Sequence, residues 1–216
     1  MSAPVGWLTA SSSLVRAGVN PSLKWSITYP STVIDYVTVT KPATVTSKQI
    51  LDYQIRVLGA GVTASNADGT NLSFVPTEAV FSFNGSSYGR IFYGTNNNVN
   101  PSNVVASGTA SAGQTMRFGG RYYFGGSWSQ LYTSSTGTNN VRTLVNGDYP
   151  PTTYALHTAP TLENFIKPYL DASGRVAIGP MDVIVFMELT HTDSQSTQLG
   201  YDCQDMVLLV TFKTKN

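Results

Sequence analysis

The chain has 216 residues and a net charge of +1, from 13 basic and 12 acidic side chains. Hydrophobic residues make up 41% and charged residues only 12%, about half the ~25% usual in globular domains; this excludes a disordered polyelectrolyte and leaves a core to be buried. There is no lysine/arginine run to neutralise phosphates, so nucleic acid is not an expected partner, and nothing approaches the ~18 consecutive apolar residues of a membrane span.

The first twenty residues are small and carry one charge, Arg16, which is too little material for a core. Isolated apolar anchors within them, chiefly Trp7, Leu8 and Leu14, predict an extended N-terminal arm over residues 1–20 that packs on a neighbouring molecule. Residues 21–216 read as one antiparallel β-sandwich, jelly-roll-like or immunoglobulin-like, because apolar and polar residues alternate throughout with a period of two. Leu23 to Tyr29 and Val33 to Thr40 are the first predicted strands, ended by Pro30 and by Lys41-Pro42, since proline gives the ladder no amide hydrogen. Ile50 to Leu58 follows, with Leu51, Tyr53, Ile55 and Val57 on one side. A loop is expected over 59–69 with a turn at Asp68-Gly69.

Asn84-Gly85 between β-rich runs predicts a tight hairpin, because both central residues of a type I′ turn need positive φ. Residues 94–113 read as turn-rich. Shorter strands are predicted at Thr115 to Phe118, Arg121 to Phe124, Trp128 to Thr133 and Val141 to Val145. The one helix expected is two turns at most, near 161–170, where Leu162, Phe165, Ile166 and Leu170 share a face and Pro168 limits the length. Val183 to Leu189 and Met206 to Phe212 are unbroken apolar runs, as suits central strands buried on both sides.

Catalytic signatures are few. His157 and His191 form no His-Glu-x-x-His pair, no Gly-x-Ser-x-Gly elbow occurs, and Cys203 is the sole cysteine, so no enzymatic activity is expected. The cluster Gly119-Gly120-Arg121-Tyr122-Tyr123-Phe124-Gly125-Gly126 lacks the Gly-Lys-Ser/Thr ending of a phosphate loop and reads as aromatic strand with flanking turns. Arg121, Tyr122 and Trp128, set among further aromatics and arginines, have the composition of an interface hot spot or of a sugar-stacking surface. Six of the 12 acidic residues fall after position 170. Of these, Asp193, Asp202 and Asp205 bracket an oxygen-rich loop and are candidate calcium ligands; turn-capping is the competing reading, and no cofactor is expected otherwise. The segment from Gly200 to Val207 resembles the acidic turn before the last strand of some extracellular calcium-dependent β-sandwich modules.

The start Met1-Ser2-Ala3-Pro4-Val5-Gly6-Trp7 lacks a charged, then apolar leader, which together with one cysteine predicts synthesis in a reducing cytoplasm. With the Ser/Thr/Asn/Gly-rich sandwich and low charge, the chain resembles tailed-bacteriophage virion structural proteins, most of all the capsid-decorating (cement) type. That resemblance implies a virion protein, made in the host cytoplasm, that binds the major capsid protein and itself as a homo-oligomer. The other reading is a carbohydrate-binding or adhesive β-sandwich module of a phage fibre or cell surface.

Overall fold

Leu51, Tyr53, Ile55 and Val57 are buried while Gln54 is exposed and Asp52 and Arg56 lie between, which is the period of two made physical. The computed structural model describes residues 5–10, 23–28, 31–65, 71–150, 166–198 and 200–215. It divides into two compact units, residues 1–32 and 33–216.

In the first unit, strand β1 (Val5–Ala10) pairs antiparallel with β2 (Leu23–Thr28), so that Leu8 lies opposite Trp25. Both of these side chains are exposed, at 50% and 71%.

The second unit opens with a single helical turn, α1 (Val33–Tyr36). Its strands are β3 (Val37–Thr40), β4 (Thr44–Ser47), β5 (Leu51–Gly59), β6 (Thr63–Ala64), β7 (Ser73–Phe74), β8 (Thr77–Phe83) and β9 (Gly89–Gly94). They continue with β10 (Val104–Ala110), β11 (Thr115–Phe124), β12 (Ser127–Trp128), β13 (Tyr132–Thr133), β14 (Val141–Val145), β15 (Asp182–Met187) and β16 (Met206–Thr214). One sheet runs β10-β5-β16-β15-β14; the other runs β3-β4-β11-β8-β9, with β12 and β13 pairing off β11. All these pairings are antiparallel. The rings of Tyr53 on β5 and of Phe81 and Phe83 on β8 meet at 5.7–5.8 Å, so the two sheets close on one core, which Met116, Phe118, Val185 and Leu208 extend. This is the all-β sandwich that the alternation predicts.

The five-stranded sheet is covered on its second face as well. Ile184, Phe186 and Val207 pack there with Leu58, Leu144, Ile166, Val176, Tyr201 and Cys203. The apolar runs at β15 and β16 therefore mark strands with two buried faces, as their sequence implies.

Several local expectations are corrected. Residues 33–36 coil into α1 rather than extending, with Val33 N–H donating to the Pro180 carbonyl oxygen; the strand begins only at Val37. Gly119 and Gly120 do not divide two strands: β11 runs through them, because an added Cβ at Gly119 would stand 2.6 Å from the Tyr132 carbonyl oxygen. Glycine there allows close approach of β13. The predicted strand over 128–133 is instead two short pieces, β12 and β13, and the turn-rich stretch contains a full strand, β10. At the hairpin, Asn84 and Gly85 take φ of 49° and 79°, as expected; Ser82 Oγ donates to the Ser86 carbonyl oxygen across the turn, and the second strand starts at Gly89. Of the predicted helix, 161–165 lies outside the described residues; Lys167–Tyr169 forms one 3-10 turn with Pro168 in it. The Asp68-Gly69 turn also lies outside them. No helix among the described residues is long and apolar enough to cross a membrane.

Candidate functional site

Register alone brings one cluster together on the seven-stranded sheet. Glu78 on β8 is the direct cross-strand partner of Arg121 on β11 and of Tyr93 on β9, and Tyr123 is the partner of Trp128. Glu78 is 2% exposed, and each of its carboxylate oxygens takes one arginine: Oε1 accepts from Arg90 Nε and Oε2 from Arg121 Nε, both at 2.5 Å. Because both arginines are tied at Nε, their guanidinium planes are fixed. Arg121 Cζ sits 4.3 Å from the Trp128 ring centroid, and Arg90 Cζ sits 4.9 Å from Tyr93 and 5.8 Å from Trp128. Tyr93 and Tyr123 contact the same indole at 5.6 and 5.2 Å. The result is a surface of rings and fixed cations. It offers stacking faces and N–H donors without further ordering.

No family model matches this chain, and neither a curated protein nor a solved structure does.

The acidic loop joins β15 to β16 and is organised from beneath by Glu188, which is fully buried. Its Oε1 accepts from Thr190 N–H, Thr190 Oγ1 and His191 N–H, and its Oε2 accepts from Asp202 N–H at 3.1 Å and Cys203 N–H at 3.2 Å. Asp205 Oδ2 accepts from Leu189 and Thr190 N–H, and the Asp205 side chain is also hydrogen-bonded to that of Glu188. Burial pushes the Asp205 carboxyl well up from its ordinary range, and the charges of Glu188 and Asp202 add to this. Burial also raises the Cys203 thiol, again with Glu188 contributing. Buried, with φ of 58°, Cys203 is part of the second core layer.

The calcium candidates do not converge. Asp193 accepts from Asn139 N–H and Nδ2 and from the Tyr201 hydroxyl. Asp202 Oδ1 accepts from Gln204 N–H, and Asp205 faces Glu188. Each closes a turn or pins a backbone amide, and no group of three His, Cys, Asp or Glu among the described residues could hold a metal ion.

Of the interface candidates, Arg121 and Trp128 meet in the ring-and-arginine cluster, while Tyr122 points to the opposite face and packs on the main core. Trp7 and Leu8 are on β1, Leu8 exposed; Leu14 lies outside the described residues, as does His157. Sequence reasoning passed over Glu78 and Glu188, which organise the two clusters. The available signal was a glutamate inside an otherwise apolar run, which a fold tolerates only when the charge is paired or richly hydrogen-bonded.

Proposed function

We infer that the chain is a structural assembly protein of the kind that decorates a virion shell, acting by burying its surface against a shell protein and other copies of itself. One observation carries this reading: the N-terminal unit presents Leu8 and Trp25 side by side and exposed on a two-stranded sheet. Such a sheet is marginal alone in water and gains from being covered. The low charge of the chain points the same way, because uncharged polar surface is cheaper to desolvate than charged surface. A standard interface of roughly 1,600 Å² needs a few such apolar anchors rather than many, and repetition around a shell turns modest affinity into firm attachment.

The test is a pair of variants, L8S/W25S in the full chain and a chain lacking residues 1–32. Both are expected to melt within a few degrees of the parent while losing self-association in sedimentation velocity and binding to shells of the major capsid protein. Unchanged association in L8S/W25S sinks the reading. Unfolding of the truncated chain would assign the hairpin to the sandwich instead.

A second reading, a carbohydrate-binding module, is favoured by the Trp128 cluster, where rings adjoin fixed arginines. Oligosaccharide binding in calorimetry that is lost in W128A, with the hairpin intact, would select it.

A further inference from the structure

Asparagine is followed by glycine twice in the chain, at Asn84-Gly85 and at Asn146-Gly147, and both pairs sit in turns. The two turns close alike: Ser86 N–H donates to the Phe83 carbonyl oxygen at 3.0 Å, and Asp148 N–H to that of Val145 at 3.1 Å. Both glycines have positive φ, 79° and 89°, and an added Cβ at either would meet nothing within 4 Å. Sequence and free space therefore do not tell the pairs apart.

Hydrogen bonding does. In the second turn Gly147 N–H donates to the Val176 carbonyl oxygen at 2.7 Å, Asn146 Oδ1 accepts from Ile178 N–H at 3.1 Å, and both residues are half-buried. In the first turn neither the Gly85 N–H nor the Asn84 side chain has a hydrogen-bond partner among the described residues, and both residues are exposed. The main-chain N–H of Asn84 is held by the Thr115 carbonyl oxygen at 2.7 Å, but that group takes no part in reactions of the side chain.

We propose that Asn84 is a site of spontaneous deamidation and that Asn146, with the same following residue, is protected from it. The Gly85 nitrogen gives its proton to water and attacks Asn84 Cγ; the N–Cγ bond forms, the Cγ–Nδ2 bond breaks, and ammonia leaves behind a succinimide ring. Water then opens the ring. Cleavage of N–Cγ yields aspartate, whereas cleavage between that nitrogen and the main-chain carbonyl carbon of residue 84 yields isoaspartate; nothing is oxidised or reduced. Glycine favours the attack because it has no Cβ to shield its nitrogen and its neighbouring dihedrals turn freely. At Asn146 the same rotation must first break two hydrogen bonds, to Val176 and Ile178, that involve the reacting groups themselves. Replacing one amide by a carboxylate takes the net charge from +1 to 0. The aspartate product keeps the hairpin, since aspartate tolerates the left-handed conformation much as asparagine does. Isoaspartate adds a carbon to the main chain between β8 and β9, in a turn where Ser82 Oγ also donates to the Ser86 carbonyl oxygen at 2.6 Å, so it strains the hairpin.

The experiment incubates the full chain at mildly alkaline pH, folded and in urea, and follows both pairs by peptide mapping with mass spectrometry. In urea the two asparagines should react at similar rates. In the folded chain Asn84 should react about tenfold faster than Asn146 or more, because two hydrogen bonds of ordinary strength hold Asn146 and its glycine. Labelling by an isoaspartyl methyltransferase should place isoaspartate at residue 84. N84D, which has no amide to lose, should melt close to the parent and release no ammonia from this turn, while aged parent chain rich in isoaspartate should melt a few degrees lower. Folded chains in which Asn146 reacts as fast as Asn84, or in which neither reacts although both do in urea, overturn the proposal.

Discussion

Glu78, on β8, and Glu188, just past the end of β15, are both buried glutamates, and the fold satisfies them in opposite ways. Glu78 is met by two side-chain cations, which fixes the positions of Arg90 and Arg121 and leaves the backbone to its sheet partners. Glu188 is met by backbone amides from residues 190–203, which fixes the path of the chain itself. The first arrangement builds a surface; the second builds a loop. Losing the first should leave the fold standing with a disordered platform, whereas losing the second should release the connection between β15 and β16.

The largest effect expected is therefore in Glu188→Ala. The backbone N–H groups of Asp202 and Cys203 lose their acceptor in a buried setting and that of His191 in a partly buried one, while Thr190 N–H keeps Asp205 Oδ2. At about 1–3 kcal/mol for each unsatisfied group, the loss should be about 3 kcal/mol or more, a large part of the ~5–15 kcal/mol that holds a domain folded. Glu78→Ala should cost less, about 2 kcal/mol, because the side chains of Arg90 and Arg121 are 51% and 30% exposed and can turn to water. Urea denaturation of the two variants compares them directly. Equal losses would break the contrast between surface-building and loop-building acids.

The contrast was only half legible in the sequence. Alternation at Leu51 to Val57 and the apolar runs at β15 and β16 report burial directly, because each side chain's environment is set by the sheet it lies in. The Asn84-Gly85 turn was legible for a similar reason: positive φ is a local demand. What the sequence hid is cross-strand register. Glu78 and Arg121 are 43 residues apart, and nothing in either segment says that they face each other. Gly119-Gly120 read as a break because glycine's usual local meaning is a turn; here the requirement comes from a distant neighbour, the Tyr132 carbonyl oxygen. Asp193, Asp202 and Asp205 looked like ligands by proximity in sequence, but Asp205 turns inward to Glu188 while Asp193 turns to Asn139 and Tyr201.

The loop-building site should also carry a pH dependence of definite sign. Asp205 binds its proton more tightly folded than unfolded, its carboxyl being raised above the ordinary value of 3.8 by burial and then by Glu188 and Asp202. Below that ordinary value both states are protonated and this term is zero. As the pH rises from there, the unfolded chain releases the proton first, so stability falls until the folded carboxyl titrates too. One such group contributes a slope of at most about 1.4 kcal/mol per pH unit. Asp205→Asn keeps an oxygen for the Leu189 and Thr190 amides and offers an N–H to Glu188, but has no proton to lose. The difference in stability between parent and D205N, measured by urea melts from pH 4 to 8, should move steadily in favour of D205N. A difference that stays flat would mean that the fold does not raise the Asp205 carboxyl.

The smallest expected effect lies within the surface-building site and separates its two arginines. Both bond Glu78 at the same distance, so carboxylate contact alone predicts equal contributions. Their surroundings differ. The Arg121 side chain is 30% exposed and its Cζ is 4.3 Å from the Trp128 centroid, whereas the Arg90 side chain is 51% exposed and 5.8 Å from that ring. Solvent screens the more exposed pair, and a cation–π contact weakens with distance and hydration. Arg90→Ala should therefore cost about 0.5 kcal/mol and Arg121→Ala about 1–1.5 kcal/mol. With W128A added to each, a double-mutant cycle should show coupling to Trp128 mainly from Arg121. Removing Arg121 should also free the indole, which near-ultraviolet circular dichroism would record as a loss of signal that Arg90→Ala leaves largely intact. Equal coupling of the two arginines to Trp128 would show that Glu78, rather than the indole, sets the platform's rigidity.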